Sequence, residues 1–241
     1  MTSMSERINK PISTAEMERR WGAVRAAMEL EGIDVLLMQS NNDHMGGYTK
    51  YFTDMPATNG YPNTVIFPRD DYMTKINQGP FNLERELDPT GSDGINRGVK
   101  RVMTTPSYES APYTRNYDPE LTCKALKPYE NGTVGLVGTY QMSSAMVDYV
   151  REQCPNVTYV EFSDAIDRIK VIKSEEEIEF IRETAAQQDA SMQAVINEIE
   201  PGMKDSDVAA VALYEGHKLG SEQGIYSVSY THLTLPTILL V

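Results

Sequence analysis

The sequence predicts an α/β domain with a mostly parallel or mixed sheet, followed by two long helices that begin a second domain. Across residues 12–170, short apolar runs alternate with segments whose apolar residues have helical spacing. Such alternation is typical of α/β domains. From residue 171 onwards the strand-like runs stop and two long amphipathic segments follow. The chain of 241 residues is long enough for one domain plus part of another.

The first elements of the domain have clear boundary signals. Ser13 and Glu16 form a capping-box pattern, in which the serine caps a helix and the glutamate bonds back to the cap residue, and Gly32 suits the helix end. The apolar run 34–39 predicts a strand buried on both faces. The runs 64–67 and 72–77 flank a turn and predict a hairpin.

The later part of the domain is less regular at first. Residues 78–119 contain several proline and glycine breakers, and only 99–104 reads as a strand. After the Asn-Gly turn at 131–132, the run 133–137 predicts another buried strand. We expect a helix over 142–153, a strand over 157–162 and a short helix to about residue 169.

The second predicted domain begins with another capping box, formed by Ser174 and Glu177. Pro201 and Gly202 end the first helix, and Asp205 favours the start of the next one. Two helices alone offer each other little surface, so we expect uncovered apolar faces. The residues of these faces are Ile178, Ile181, Met192, Val195, Val208, Val211 and Leu219.

Composition excludes several classes of protein. The chain has 22 Lys and Arg against 35 Asp and Glu, a net charge of −13, and no basic cluster to bind phosphate backbones, so we expect no nucleic-acid partner. The uncharged stretch 223–241 is too polar for a membrane span, so we expect no membrane association. The chain start lacks the apolar core of a signal peptide, which favours a cytoplasmic protein.

Two cysteines, Cys123 and Cys154, form neither a disulfide framework nor a metal-binding CxxC motif. Neither has a nearby base in the sequence that would activate a thiol. We therefore interpret both as structural thiols.

Three segments resemble the creatinase, aminopeptidase P and prolidase family of pita-bread metalloenzymes. The first is the opening helix and strand, and the second is the Asn-x-x-Tyr-x-x-x-Phe-like loop between Asn41 and Phe52. The third and most specific is IKSEEEIEFIR over 172–182, followed by Ile-Glu-Pro-Gly-Met at 199–203. The resemblance covers about residues 12–222 and is weakest over 78–120.

This resemblance implies a ribonuclease-H-like N-terminal domain over 12–170 and the start of the pita-bread catalytic domain over 171–226. Family members bind two divalent, Mn-like metal ions through two Asp, one His and two Glu, and a bridging water is the nucleophile. The family's ligands lie beyond the second helix, so we expect no catalytic and no metal-binding residue in this chain. The resemblance also implies a homodimer in the intact parent.

The remaining candidate site residues are His44, Tyr48 and Tyr51, in or beside the loop after the first strand. In the family this loop can face an active site across a dimer, so these residues could contact substrate or a dimer partner. The alternative is structural: the histidine is exposed or caps a turn, and the two rings pack against the first helix.

The function predicted from the resemblance is that of an N-terminal fragment of an Xaa-Pro aminopeptidase, prolidase or creatinase-like hydrolase. Its substrate would be a small peptide or a small amide or amidino compound. One alternative is a fragment of a non-peptidase, either a lyase or an amidinohydrolase. Another is a catalytically dead family member that acts as a binding module.

The end of the sequence has a separate interpretation. Residues 228–237 match one reading frame of a transposase sequencing adapter, and the match continues to the final residue. We therefore expect residues 227–241 to be a non-native tail on a gene fragment.

Overall fold

The structure, a computed structural model, describes residues 10–42, 47–57, 60–106 and 111–221. The chain divides into two compact units, residues 1–172 and 173–241. The predicted adapter tail and His44 lie outside the described residues.

The first unit contains a mixed sheet and five helices in its described part. Its helices are α1 (Thr14–Leu30), α2 (Tyr48–Thr53), α3 (Tyr117–Leu126), α4 (Ser144–Gln153) and α5 (Ser163–Val171). Its strands are β1 (Val35–Ser40), β2 (Asn63–Pro68), β3 (Met73–Gln78), β4 (Leu83–Glu86), β5 (Val99–Thr105), β6 (Thr133–Val137) and β7 (Thr158–Glu161).

The seven strands form one sheet in the order β4-β5-β3-β2-β1-β6-β7. β2 pairs with β1 and β3 in antiparallel fashion, which confirms the predicted hairpin, whereas β1 with β6 and β6 with β7 are parallel pairs. All six residues of β1 are buried. Since successive side chains of a strand point to opposite faces, helices cover both sides of the sheet here. The predicted α/β class with a mixed sheet is confirmed.

The expectation that 99–104 is the only strand within 78–119 was wrong, because β4 pairs antiparallel with β5 at the edge of the sheet. Every residue of Leu83–Glu86 is exposed. Three of the four are charged, so the segment has no apolar alternation to mark it as a strand. Its backbone pairing, which no sequence pattern reports, defines it.

Helix α1 shows how the sequence produces the core. Ser13 Oγ accepts a hydrogen bond from the Glu16 N–H at 3.1 Å, and Gly32 follows the C-cap residue with a φ of +67°. The buried apolar residues of the helix recur at helical spacing, as predicted. They are Met17, Trp21, Val24 and Met28.

The second unit consists, in its described residues, of α6 (Glu175–Glu198) and α7 (Asp205–Lys218). The predicted capping box is present: the Glu177 N–H donates to Ser174 Oγ at 3.2 Å, and the Ser174 N–H donates to Glu177 Oε2 at 3.0 Å. Of the apolar residues expected to be bare, Ile181, Met192 and Leu219 are exposed, but Val195 is buried. No described helix is both long enough and apolar enough to cross a membrane.

Candidate functional site

The candidate site lies around α2, the short helix that follows β1 and contains Tyr48 and Tyr51. At the end of β1, the Ser40 hydroxyl bonds to the Thr49 hydroxyl at 2.7 Å, and both residues are buried. This bond fixes the first turn of α2 against the end of the strand.

Helix α1 fixes the other end of α2. The indole N–H of Trp21 donates to the carbonyl oxygen of Phe52 at 2.9 Å. The guanidinium of Arg20 lies 4.6 Å from the centre of the Tyr51 ring and pairs with Glu16 at 2.8 Å, with both side chains buried. A cation over an aromatic face is attractive, and more so away from water. Tyr51 therefore packs against α1, as the structural interpretation expected.

Tyr48 has a different set of neighbours. Its hydroxyl donates to Asp167 Oδ2 at 2.9 Å, and Lys170 Nζ lies 4.5 Å from the centre of its ring, both on α5. Tyr140 meets the same ring edge to face, with 6.3 Å between centroids. A side chain on Gly138 would not fit, because its Cβ would lie 2.7 Å from Tyr48 Cδ2. The ring thus packs between α5 and the chain after β6, whereas the structural alternative expected it to pack against the first helix.

The surroundings of Tyr48 determine its protonation. Burial, together with hydrogen bonds to Tyr140 and Asp167, raises the pKa of Tyr48 well above its ordinary value. The phenol therefore stays neutral near pH 7. In that state it can donate a hydrogen bond but cannot act as a general base.

Asp54, the residue that follows α2, links this helix to the start of α1 and to the segment before β5. Asp54 has a φ of +57°, and its carboxylate accepts from the Ile12 N–H at 3.0 Å and from Arg97 Nη2 at 2.6 Å. Arg97 also donates to the Ile12 carbonyl oxygen. A buried carboxylate is stable when several donors surround it, and here the Asp54 and Arg97 charges also neutralise each other. This pair joins the start of α1, the end of α2 and the segment before β5.

The sequence singled out Tyr48 and Tyr51, and α2 brings both beside Lys170, whose Nζ is 5.7 Å from the Tyr51 ring centre. His44 falls outside the described ranges, so its predicted role stays a prediction. Sequence reasoning missed Asp167 and Lys170. No local signal could have found them, because they lie more than a hundred positions from Tyr48 and only the sheet topology brings them near.

A two-metal site needs a cluster of carboxylate and imidazole ligands. Among residues 10–42, 47–57, 60–106 and 111–221, no three His, Cys, Asp or Glu side chains are placed to hold an ion. The residues of this region therefore do not fit the dinuclear centre of pita-bread enzymes. The described geometry can position a loop, but it does not assemble a nucleophile with a base.

No family model matches the chain. It is 26% identical over 201 residues to a Sinorhizobium fredii protein called an uncharacterized hydrolase/peptidase, y4tL. This match covers 81% of this chain and 48% of that protein. It is 32% identical over 91 residues to the Xaa-Pro dipeptidase of Pyrococcus furiosus, which covers 38% of this chain and 26% of the dipeptidase.

Solved structures show the same fold. The prolidase of Thermococcus sibiricus superposes with a TM-score of 0.61 at 15% identity, covering 90% of this chain and 53% of that one. The X-Pro aminopeptidase of Thermotoga maritima superposes with a TM-score of 0.58 at 16% identity, covering 86% and 50%.

The fold is that of the creatinase/prolidase N-terminal domain, and the predicted resemblance to the Xaa-Pro aminopeptidase and prolidase family is confirmed. The chain spans about half the length of these solved structures, 53% and 50%.

Proposed function

We propose that this chain is the N-terminal part of a hydrolase of the Xaa-Pro peptidase type. The observation that carries the proposal is a fold agreement with a prolidase over 90% of the chain. The sequence similarity to an Xaa-Pro dipeptidase, 32% over 91 residues, supports a peptide with proline after the scissile bond as the substrate of the whole protein.

Within such a hydrolase, we assign the first unit a positioning role. Its α2 helix is held on one side by Trp21 of α1 and on the other by Asp167 of α5. Both contacts are hydrogen bonds of 2.9 Å. We assign to the segment that precedes α2 and contains His44 a role in contacting substrate or a second subunit of a homodimer. The catalytic groups and any divalent metal ions belong to sequence other than the described residues.

The experiment is to clone the complete coding sequence from the source DNA and compare its product with the 1–241 chain. Both are incubated with Mn²⁺ and a series of Xaa-Pro dipeptides. Parallel incubations use creatine, and dipeptides in which alanine replaces the proline. We expect the complete protein to cleave the Xaa-Pro bond and the 1–241 chain to leave it intact. Inactivation by a chelator and recovery on adding Mn²⁺ would show that the activity needs metal.

Two results would contradict the proposal. One is a complete protein whose added sequence lacks the two Asp, one His and two Glu of the family, which would favour a binding protein. The other is cleavage of Xaa-Pro dipeptides by the 1–241 chain itself. Cleavage of creatine instead of dipeptides would keep the hydrolase class and replace the substrate.

The positioning role has its own test in the complete protein. His44→Ala should raise KM for the dipeptide or weaken the dimer, while Tyr113→Ala, at an exposed position of the same unit, serves as the matched control. Dimerisation is measured by light scattering after size-exclusion chromatography. Unchanged KM and unchanged dimerisation for His44→Ala would refute the role.

A further inference from the structure

The fold brings together the two cysteines that the sequence analysis treated as separate structural thiols. Cys123 lies in α3, and Cys154 is the C-cap residue of α4, which packs against α3. Both side chains are partly buried and line one surface cavity of about 420 Å³. Burial and the neighbouring Cys154 thiol raise the pKa of Cys123 to about 12. The two thiols are therefore direct neighbours that solvent can reach through the cavity.

The backbone around this pair is well anchored. The Cys154 N–H donates to the Val150 carbonyl oxygen at 2.9 Å, and the Cys154 carbonyl accepts from the Tyr159 hydroxyl at 3.3 Å. Tyr159 is in β7, so Cys154 is fixed to the sheet as well as to its helix. The fold thus holds the second thiol next to the first instead of leaving it on a loose helix end.

We propose that Cys123 and Cys154 form a reversible oxidation site at which a low-molecular-weight disulfide converts the two thiols into one intrachain disulfide. The bond would join α3 to the end of α4. The inference is independent of the hydrolase proposal, because the proposed metal-dependent hydrolysis uses neither thiol.

The reaction balances as two exchanges. A thiolate of the pair attacks one sulfur of the small disulfide, forms a mixed disulfide and releases one small thiol. The other cysteine then attacks the protein sulfur of the mixed disulfide and releases the second small thiol. The protein gives up two electrons and two protons, and the small disulfide takes up both.

In either order of attack Cys123 must act as a thiolate in one of the two exchanges, so its raised pKa slows the reaction. Only the thiolate attacks, and at neutral pH Cys123 is almost entirely a thiol. Oxidation should therefore be slow near pH 7 and accelerate as the pH rises towards 10. The site is thus a slow thiol pair and not an activated peroxide sensor.

The rate does not determine the equilibrium between the two thiols and the Cys123–Cys154 disulfide. The fold should shift that equilibrium towards the disulfide. In the unfolded chain the two cysteines meet only when the intervening loop closes, which costs conformational entropy. In the native state that cost is already met. By thermodynamic reciprocity, a bond that forms more readily in the folded protein also stabilises the fold.

The test uses the intact 1–241 chain, whose only cysteines are these two. The protein is equilibrated in buffers of reduced and oxidised glutathione, with and without urea, quenched with acid, alkylated and weighed by mass spectrometry. We expect loss of both free thiols without retained glutathione. The ratio [GSH]²/[GSSG] at which half of the protein is oxidised should be about a hundredfold higher for the folded protein than for the unfolded chain. Cys123→Ser and Cys154→Ser should each end as a mixed disulfide with glutathione.

A second measurement needs no variant. The oxidised wild-type protein should melt roughly 10 °C above the reduced protein, from the entropy of closing this loop in the unfolded state. A folded-state midpoint equal to or more oxidising than that of the unfolded chain would overturn the proposal. So would an oxidised protein that melts no higher than the reduced one, or oxidation that yields only disulfides between chains.

Discussion

The two units use the same kind of helix with very different results. Helix α1 has 17 residues and buries six of them, whereas α6 has 24 residues and buries only Ser191 and Val195. Both begin with a serine cap whose hydroxyl accepts from the backbone. Capping and helix formation are therefore equally good in both. The difference lies in what each helix has to pack against.

In the first unit the partner is a sheet whose interior strand β1 is buried along its whole length. In the described part of the second unit, α6 has only α7, and several large apolar side chains stay exposed. They are Ile181, Met192, Ile196, Ile199, Tyr214 and Leu219. Since most helical stability in proteins comes from tertiary packing, we expect the first unit to be far more stable than the second.

The largest effect should come from equivalent truncations of one aliphatic side chain in each unit. Leu36 in β1 is 0% exposed and Ile196 in α6 is 61% exposed. Leu36→Ala should lower the free energy of unfolding by about 4 kcal/mol, because it leaves a cavity in a packed core. Ile196→Ala should change it by less than about 0.5 kcal/mol. Urea unfolding measures both effects, with Trp21 fluorescence for the first unit and helical circular dichroism for the second.

Similar losses for the two alanine variants would contradict the comparison, since they would mean that α6 is packed as tightly as β1. The fluorescence of the single tryptophan reports on the first unit. Circular dichroism at a helical wavelength should therefore be recorded in parallel to follow α6 and α7.

The next effect concerns the ion pair that closes the first unit. Asp54→Ala should cost about 3 kcal/mol of unfolding free energy, because the largely buried Arg97 would lose its carboxylate partner and the Ile12 N–H its acceptor. Asp54→Asn keeps an acceptor for the Ile12 N–H and tolerates the left-handed backbone, so we expect it to cost about half as much. Equal stabilities of the wild type and the alanine variant in urea would show that the pair contributes nothing.

The smallest effect should come from the Tyr48 hydroxyl. Tyr48→Phe removes the donor to Asp167, a partly exposed carboxylate, and should cost about 1 kcal/mol at pH 7. The matched control is Tyr113→Phe at a position 80% exposed, which should cost nothing measurable. Thermal melts of the three proteins at equal concentration make the comparison.

The pH dependence of this variant follows from the raised pKa of Tyr48. Above about pH 10 an unfolded tyrosine loses its proton, while the folded one keeps it, so folding stability falls as the pH rises. Tyr48→Phe lacks this contribution. Its deficit relative to wild type should therefore shrink between about pH 9.5 and 11. A constant deficit over that range would show that burial does not hold the proton.

Much of the fold follows from local patterns. The caps Ser13 and Ser174, the buried run of β1 and the hairpin of β2 and β3 each depend on residues close in sequence, which is why they could be predicted. Edge strand β4 could not. Its side chains are exposed, and its only mark is backbone pairing with a segment further along the chain.

The candidate site divides in the same way. Tyr48 and Tyr51 stand out from the sequence because they belong to the segment that resembles the family's loop after the first strand. Their partners Asp167 and Lys170 come from α5, and Cys123 meets Cys154 only because α3 packs on α4. Such pairings depend on strand order across the sheet, which a single sequence does not report.

Native-state hydrogen exchange on the intact 1–241 chain tests the contrast between the two units most directly, because it measures the stability of each helix and strand in one molecule. We predict that amides of β1 and β6 exchange only through global unfolding. Amides of α6 and α7 should exchange at least about a hundredfold faster, which corresponds to an opening free energy lower by about 3 kcal/mol. Equal protection of α6 and β1 would contradict the account, because it would place both helices in the same cooperative core as the sheet.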